Sequence, residues 1–254
     1  MIASLTIVVS RAITSPLLTL FLSNKLGLNQ QDVGLLLGIA VFIATLLALY
    51  GGYIIDRLEK RRLLILAMLS SAIGFVLLTF AENLFLTTAT LVITETASAM
   101  FLICSKAILS ENLPMGQRAK AFSLRYTLTN IGYATGPMLG VVIAGHYPIA
   151  PFLIAGGIAF FSIFLMIGIP GDSARAPAIG QSQSFLKTLV TLKNDRTLIM
   201  FTCGCLLSTV VHGRYTLYLS QYLLVTHDAR RALEIMAALL ACNAISVILL
   251  QYQI

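Results

Sequence analysis

The sequence predicts an all-helical integral membrane protein, and three observations carry that expectation. Of its 254 residues 58% are hydrophobic and only 11% charged, with a mean hydropathy of +0.91. A chain this apolar cannot hide its surface in a water-soluble core. The hydrophobic residues fall into runs of ~20, the length a helix needs to cross a bilayer. The charges collect between the runs, most densely in Asp56-Arg57-Leu58-Glu59-Lys60-Arg61-Arg62, which joins the run Val33 to Ile55 to the run Leu63 to Ala81 as a helical hairpin.

The net charge of +7 follows from topology. Arg57, Lys60, Arg61, Arg62, Arg118, Lys120, Arg175, Lys187, Lys193 and Arg196 fall on one side of the alternating spans, against Lys25, Arg230 and Arg231 on the other. Basic loops stay in the cytoplasm. The charge therefore marks orientation in a plasma (inner) membrane, and no nucleic-acid partner is called for.

Taken in order, Ile2 to Leu22 is the first span. It lacks a basic n-region and a small-residue cleavage site and contains Arg11 and Pro16, so it reads as a span and not as a signal peptide, and the N-terminus is expected in the cytoplasm. Ser23 to Asp32 is a polar external turn. The second and third spans are the hairpin arms, and Glu82-Asn83 turns outside. The fourth span runs from Leu84 to about Lys106, and Glu111 to Lys120 is cytoplasmic. The fifth is Phe122 to Ala144, His146-Tyr147-Pro148 turns outside, and the sixth is Ile149 to Ile169. Cys104, Cys203, Cys205 and Cys242 all sit in apolar runs without metal or redox spacing, and are expected to be buried and inert.

Residues 170–196 are rich in Pro, Gly, Ser, Ala and Gln, too polar for a membrane, and read as a cytoplasmic linker. It separates a six-span bundle at 1–169 from a segment at 197–254 with a seventh span, Leu198 to about Leu219, and an eighth, about Ala232 to Ile254. Thr19-Leu20-Phe21-Leu22-Ser23-Asn24-Lys25-Leu26 closes the first span and Thr216-Leu217-Tyr218-Leu219-Ser220-Gln221-Tyr222-Leu223 the seventh. The second half restarts the first, as in folds built from repeated bundles.

Two motifs carry a family resemblance. Gly52, Asp56-Arg57, Glu59 and Lys60-Arg61-Arg62 resemble the loop between the second and third helices of the major facilitator superfamily, with Glu59 where that family usually has a second Gly. Gly132-Tyr133-Ala134-Thr135-Gly136-Pro137-Met138-Leu139-Gly140 resembles the antiporter motif in the fifth helix of the superfamily's exporters, with Ser123 in place of an early Gly and Val141 where a Gly pair is often completed. Glycines at this spacing make a smooth helix face, and Pro137 removes a backbone donor and favours a bend. The same face is open to an alternative account, the ordinary close packing of membrane helices. The resemblance implies that Gly52, Asp56, Arg57, Arg61 and Arg62 form a conformational latch, and that Gly132, Gly136, Pro137 and Gly140 belong to a proton-driven antiporter.

Ionisable groups inside spans are costly in hydrocarbon and are candidates for function. Arg11 and Glu95 fall at similar depth in the first and fourth spans, which line the central cavity in the fold the resemblance implies. Glu95 is the only acid in the middle of a span, hence the candidate proton carrier; the alternative is a purely structural pair with Arg11. The family's usual Arg near Leu91 is absent. Tyr126, Asn130 and Tyr133 share one helix face and either line the cavity or bond to neighbouring helices. His212 and Arg214 are weaker candidates, Arg214 being placed to snorkel outward, and Lys106 and Arg125 are read as interfacial. No H-E-x-x-H, G-x-S-x-G, Walker A or dinucleotide fingerprint occurs, so neither an enzyme nor a nucleotide-driven pump is indicated, and no cofactor or metal is called for.

The expectation is a transporter of the major facilitator superfamily with a small-molecule substrate, protons and the lipid bilayer as its partners, exporting drug-like or metabolite molecules. The runners-up are a facilitator or symporter importing a small solute and a non-transporting fragment or partner subunit. Eight spans against the ~12 that two rocking six-helix halves require imply that these residues alone do not complete a transport cycle. A missing C-terminal half, a truncated, disrupted or shortened exporter, or a split protein completed by a second chain or copy are the forms this takes. The topology has a direct check: Lys60→Cys is labelled by a membrane-impermeant thiol reagent only from the cytoplasmic side, and labelling from outside overturns the arrangement.

Overall fold

The computed structural model describes residues 2–55, 57–166, 190, 193–212 and 215–250. These residues form α1 (Ile2–Thr14), α2 (Leu18–Leu26), α3 (Gln30–Ile55), α4 (Lys60–Phe80), α5 (Leu84–Asn112), α6 (Met115–Ala144), α7 (Ala150–Phe161), α8 (Arg196–His212), α9 (Tyr215–Thr226) and α10 (Ala229–Leu250), with a 3-10 turn at Phe164–Met166. The architecture is all-α. Helices α3, α4 and α5 are each long and apolar enough to cross a membrane, and α1 and α2 qualify together as one span bent by 46°. Helix α6 has the length, but it carries Gly132, Gly136 and Gly140 against α1 and buries Thr127 and Asn130, and sides covered by protein do not need lipid-grade apolarity.

The bend corrects the expectation of one continuous first span from Ile2 to Leu22. Pro16 has no amide proton to offer Ala12 and its ring crowds that carbonyl, so α1 stops at Thr14 and the chain restarts at Leu18. Residues expected in the external turn extend α2 to Leu26, where Gly27 takes the left-handed conformation (φ 65°) that ends it. Lys25 Nζ then donates to the carbonyls of Leu78 and Thr79, at 3.2 and 2.5 Å, and satisfies the C-terminal end of α4. The expected seventh span falls on α8 and α9, and the two residues between them, 213 and 214, lie outside the described residues. The segments matched as a repeat lie in α2 and α9, which touch each other, and Gln221 Nε2 donates to the Gln30 carbonyl at 3.2 Å. Apart from 190 and 193–196, the linker lies outside the described residues.

Packing follows a membrane logic, with small residues bringing backbones together and hydroxyls bonding across helices. Helix α1 lies on α6 and α7, α4 lies between α5 and α7, and α10 lies on α6. Ser10 Oγ donates to the Ala155 carbonyl (2.8 Å), and Ser162 Oγ to Thr6 Oγ1 (2.7 Å), fixing α1 to α7. Of the cysteines only Cys104 is buried; Cys203, Cys205 and Cys242 are exposed, contrary to expectation. An apolar run in lipid needs no protein cover, so its thiols need none either.

The closest helix contact is α1 against α6. A Cβ on Gly132 would lie 2.9 Å from Val8 Cγ1, and Cβ atoms on Gly136 and Gly140 would overlap Ala12 and the carbonyl oxygen of Ile13. Backbone cannot retreat as a side-chain tip can. Gly140→Val therefore lowers thermal stability in detergent by at least the ~1–3 kcal/mol of overpacking, whereas Gly157→Ala, with nothing within 4 Å of its Cβ, changes it little. Equal stability for the two variants contradicts this packing.

Candidate functional site

Arg11 sits near the end of α1, on the turn just before the proline break, and Glu95 lies midway along α5. The two meet: Arg11 Nη2 donates to both carboxylate oxygens, at 2.9 and 3.1 Å. The contact uses one nitrogen and not the two-pronged fork, so the guanidinium keeps N–H groups directed elsewhere. Their side chains are 41% and 28% exposed, so the pair faces open space instead of being sealed in the core.

That space is a cavity of about 520 Å³, within the range of small-molecule sites. Arg11, Thr14 and Ser15 line it from α1 and the break, Glu95 and Thr94 from α5, and Tyr126, Asn130, Tyr133 and Pro137 from α6. The sequence-predicted face of α6 is thus a cavity wall. Asn130 is buried, and its amide donates to the Tyr126 carbonyl (2.9 Å), so it serves its own helix. Thr14, Thr94 and Thr129 also bond their own helices. Both tyrosines are half-exposed, and among the described residues neither phenol hydroxyl has a hydrogen-bond partner. The groups that face a ligand are the ion pair and two phenols, with Ser15, Thr19 and Asn243 as further polar side chains on a lining that is otherwise largely apolar. Ser220 of α9 and Leu240 and Asn243 of α10 close part of the far side. The signal by which sequence alone could point to Asn243 is a lone amide in an apolar run.

The antiporter-motif residues divide between two tasks. Gly132, Gly136 and Gly140 seat α1, while α6 continues through Pro137, which lines the cavity. The charged turn is less concentrated. Asp56 lies outside the described residues. Arg57 stacks on the Tyr53 ring, 4.1 Å from its centroid, Lys60 pairs with Glu111 (2.9 Å), and Arg62 pairs with Glu59 (2.6 Å). Arg61 lines a separate small cavity at this end of the bundle. A Cβ on Gly52 would meet nothing within 4 Å; it is Gly51 that lies tight against Met100 of α5. Glu59 has φ −61° and extended ψ, so the position where the family has a Gly needs no positive φ here.

Arg125 differs from expectation. Lys106 is exposed near the end of α5, whereas Arg125 is only 9% exposed and donates to Ser105 Oγ (3.1 Å) and Ser4 Oγ (3.4 Å). Two full turns of α6 precede it, which draws it into the bundle. Arg214 lies outside the described residues, and of His212 only its place at the end of α8 is described.

Comparison with known proteins agrees with this geometry. The family model described as Major Facilitator Superfamily matches residues 1–253. The chain is 30% identical over 253 residues to the MFS-type transporter YdeE of Escherichia coli, covering 99% of this chain and 63% of that protein. It is 23% identical over 236 residues to a Na(+), Li(+), K(+)/H(+) antiporter of Planococcus maritimus (86% and 55%). It is 22% identical over 213 residues to the quinolone resistance protein NorA of Staphylococcus aureus (84% and 54%). The chain therefore spans less than two thirds of the length of these relatives. An all-helical chain with a mid-span ion pair facing a cavity, matched by the family model almost from end to end, belongs to the major facilitator superfamily.

Proposed function

We propose that these residues form the N-terminal six-helix bundle (1–169), the cytoplasmic linker (170–196) and the start of a second bundle (197–254) of a proton-driven exporter of small drug-like or metabolite molecules. It resides in the plasma membrane, with its N-terminus in the cytoplasm, and works by alternating access. The observation that carries this reading is the Arg11–Glu95 pair on the wall of the 520 Å³ cavity. A charged pair is expensive at that depth unless it has a use, and a carboxylate that can exchange its partner for a proton has one. Protonation removes the charge that holds Arg11. The guanidinium then turns to water or to an electron-rich group of the substrate, and the tyrosines supply faces for an apolar body. The glycine seat of α6 and the efflux and antiport named for two relatives support the direction of transport. The charged turn acts in this scheme as the latch, Asp56 holding the other half of the protein in one of its two arrangements while Arg57, Arg61 and Arg62 anchor the turn.

The assay is pH-gradient-driven efflux in everted membrane vesicles holding a full-length homologue with the same residues, with substrate binding measured separately. Glu95→Gln abolishes gradient-driven efflux and spares binding, and undiminished coupling in this variant leaves Arg11–Glu95 a structural pair. In the same vesicles Asp56→Asn lowers the transport rate several-fold at unchanged helix content, and an unchanged rate removes the latch role.

A further inference from the structure

The second cavity lies at the end of the bundle that carries the charged turn, and the transport reading makes no use of it. It is about 90 Å³ in volume, and its walls come from the first turn of α1 (Ala3, Ser4), the start of α4 (Arg61, Leu64), the last turns of α5 (Ser105, Ile108) and Arg125 of α6. Liquid water occupies ~30 Å³ per molecule, so this is space for a few waters or one compact polyatomic ion, well below the size of a drug-like ligand.

Its chemistry is one-sided. Arg125 is nine-tenths buried and donates only to hydroxyls, those of Ser4 and Ser105. Among the described residues no carboxylate lies within ion-pairing distance of it: Glu95 is taken by Arg11, Glu111 by Lys60 and Glu59 by Arg62. Arg61 adds a second guanidinium to the same wall. A buried cation faced by two serine hydroxyls retains most of its desolvation cost, because neutral partners return only part of what water supplied. The five N–H donors of a guanidinium suit the oxygens of a phosphate, and the Ser4 hydroxyl can donate to the same oxygens, the Ser105 proton being given to the Leu102 carbonyl. A bare carboxylate fits this volume too, but phosphate fills it with more acceptors for the donors present.

We propose that the cavity formed by Arg125, Arg61, Ser4 and Ser105 binds a phosphate group, which neutralises Arg125 and ties the ends of α1, α4, α5 and α6 together. The group comes either from free inorganic phosphate or from the headgroup of an anionic lipid, and the experiment separates the two. Thermal unfolding of the purified chain is followed in detergent against sodium phosphate, with sodium chloride at matched ionic strength as control, and again in nanodiscs of phosphatidylcholine with and without phosphatidic acid. A saturable rise in Tm of a few degrees with phosphate assigns the free ion; a rise only with phosphatidic acid assigns the headgroup. Two variants guard the interpretation. Arg125→Gln removes the response. Ser105→Asp places a carboxylate against Arg125, raises the Tm of the ligand-free protein and removes the response as well, so loss of response cannot be put down to misfolding. A response that survives in both variants, or no response of the unaltered chain to either phosphate source, overturns the proposal.

Discussion

The site depends on how closely α1 can approach α6. Gly136 and Gly140 let the backbone of Ala12 and Ile13 lie directly on α6, a contact any side chain would prevent. Successive helical residues are rotated by ~100°, so seating Ala12 on α6 turns Arg11 away from that interface. Ser10, on the other side, bonds to α7, which fixes the rotation from a second direction. Arg11 is left facing α5, where Glu95 meets it. The pair is thus a product of helix packing as much as of its own attraction. The proline break after Thr14 then carries α2 away and leaves Thr14 and Ser15 beside the ion pair.

Two arginines in one bundle show two answers to the same electrostatic cost. Arg11 has a carboxylate and an open cavity, so its charge is both matched and partly hydrated. Arg125 has two hydroxyls and little exposure. A charge at the bilayer centre costs ~2.5–3.5 kcal/mol on insertion scales and less toward the interface. Arg125, on the third turn of α6, lies nearer a helix end, where the cost of a charge is lower, and the proposed phosphate group would offset what its two hydroxyls leave; Arg11, deeper in its span, needs its acid.

Much of this was legible in the sequence, and what was legible has a common physical source. The second, third and fourth spans were readable because lipid imposes length and apolarity on every helix it touches. Arg11 and Glu95 could be matched by counting depth from opposite ends, since depth in a helix is linear in residue number. The α6 face of Tyr126, Asn130 and Tyr133 followed from helical periodicity. Quantities set by neighbours were not readable. Pro16 announced a disturbance but not a 46° bend. The burial of Arg125 depended on where α1 and α5 place Ser4 and Ser105, and the exposure of three cysteines on which helix faces are covered. In the charged turn, Gly52 was singled out by resemblance, yet the close contact belongs to Gly51.

The magnitudes also bear on how the proposed transport could work. Driving a two-state protein from 1:99 to 99:1 takes ~5.5 kcal/mol of differential stabilisation. Breaking a fully buried ion pair is worth ~3–5 kcal/mol, and an exposed one ~0–1. Arg11 and Glu95, open to the cavity by 41% and 28%, fall between these limits. One proton on Glu95 therefore tilts the equilibrium without completing the switch. The remainder has to come from contacts that exist in only one of the two arrangements. In this chain the charged turn is the element suited to supply them: the Lys60–Glu111 pair ties the start of α4 to the end of α5, so a further contact made beside it would act on both helices at once.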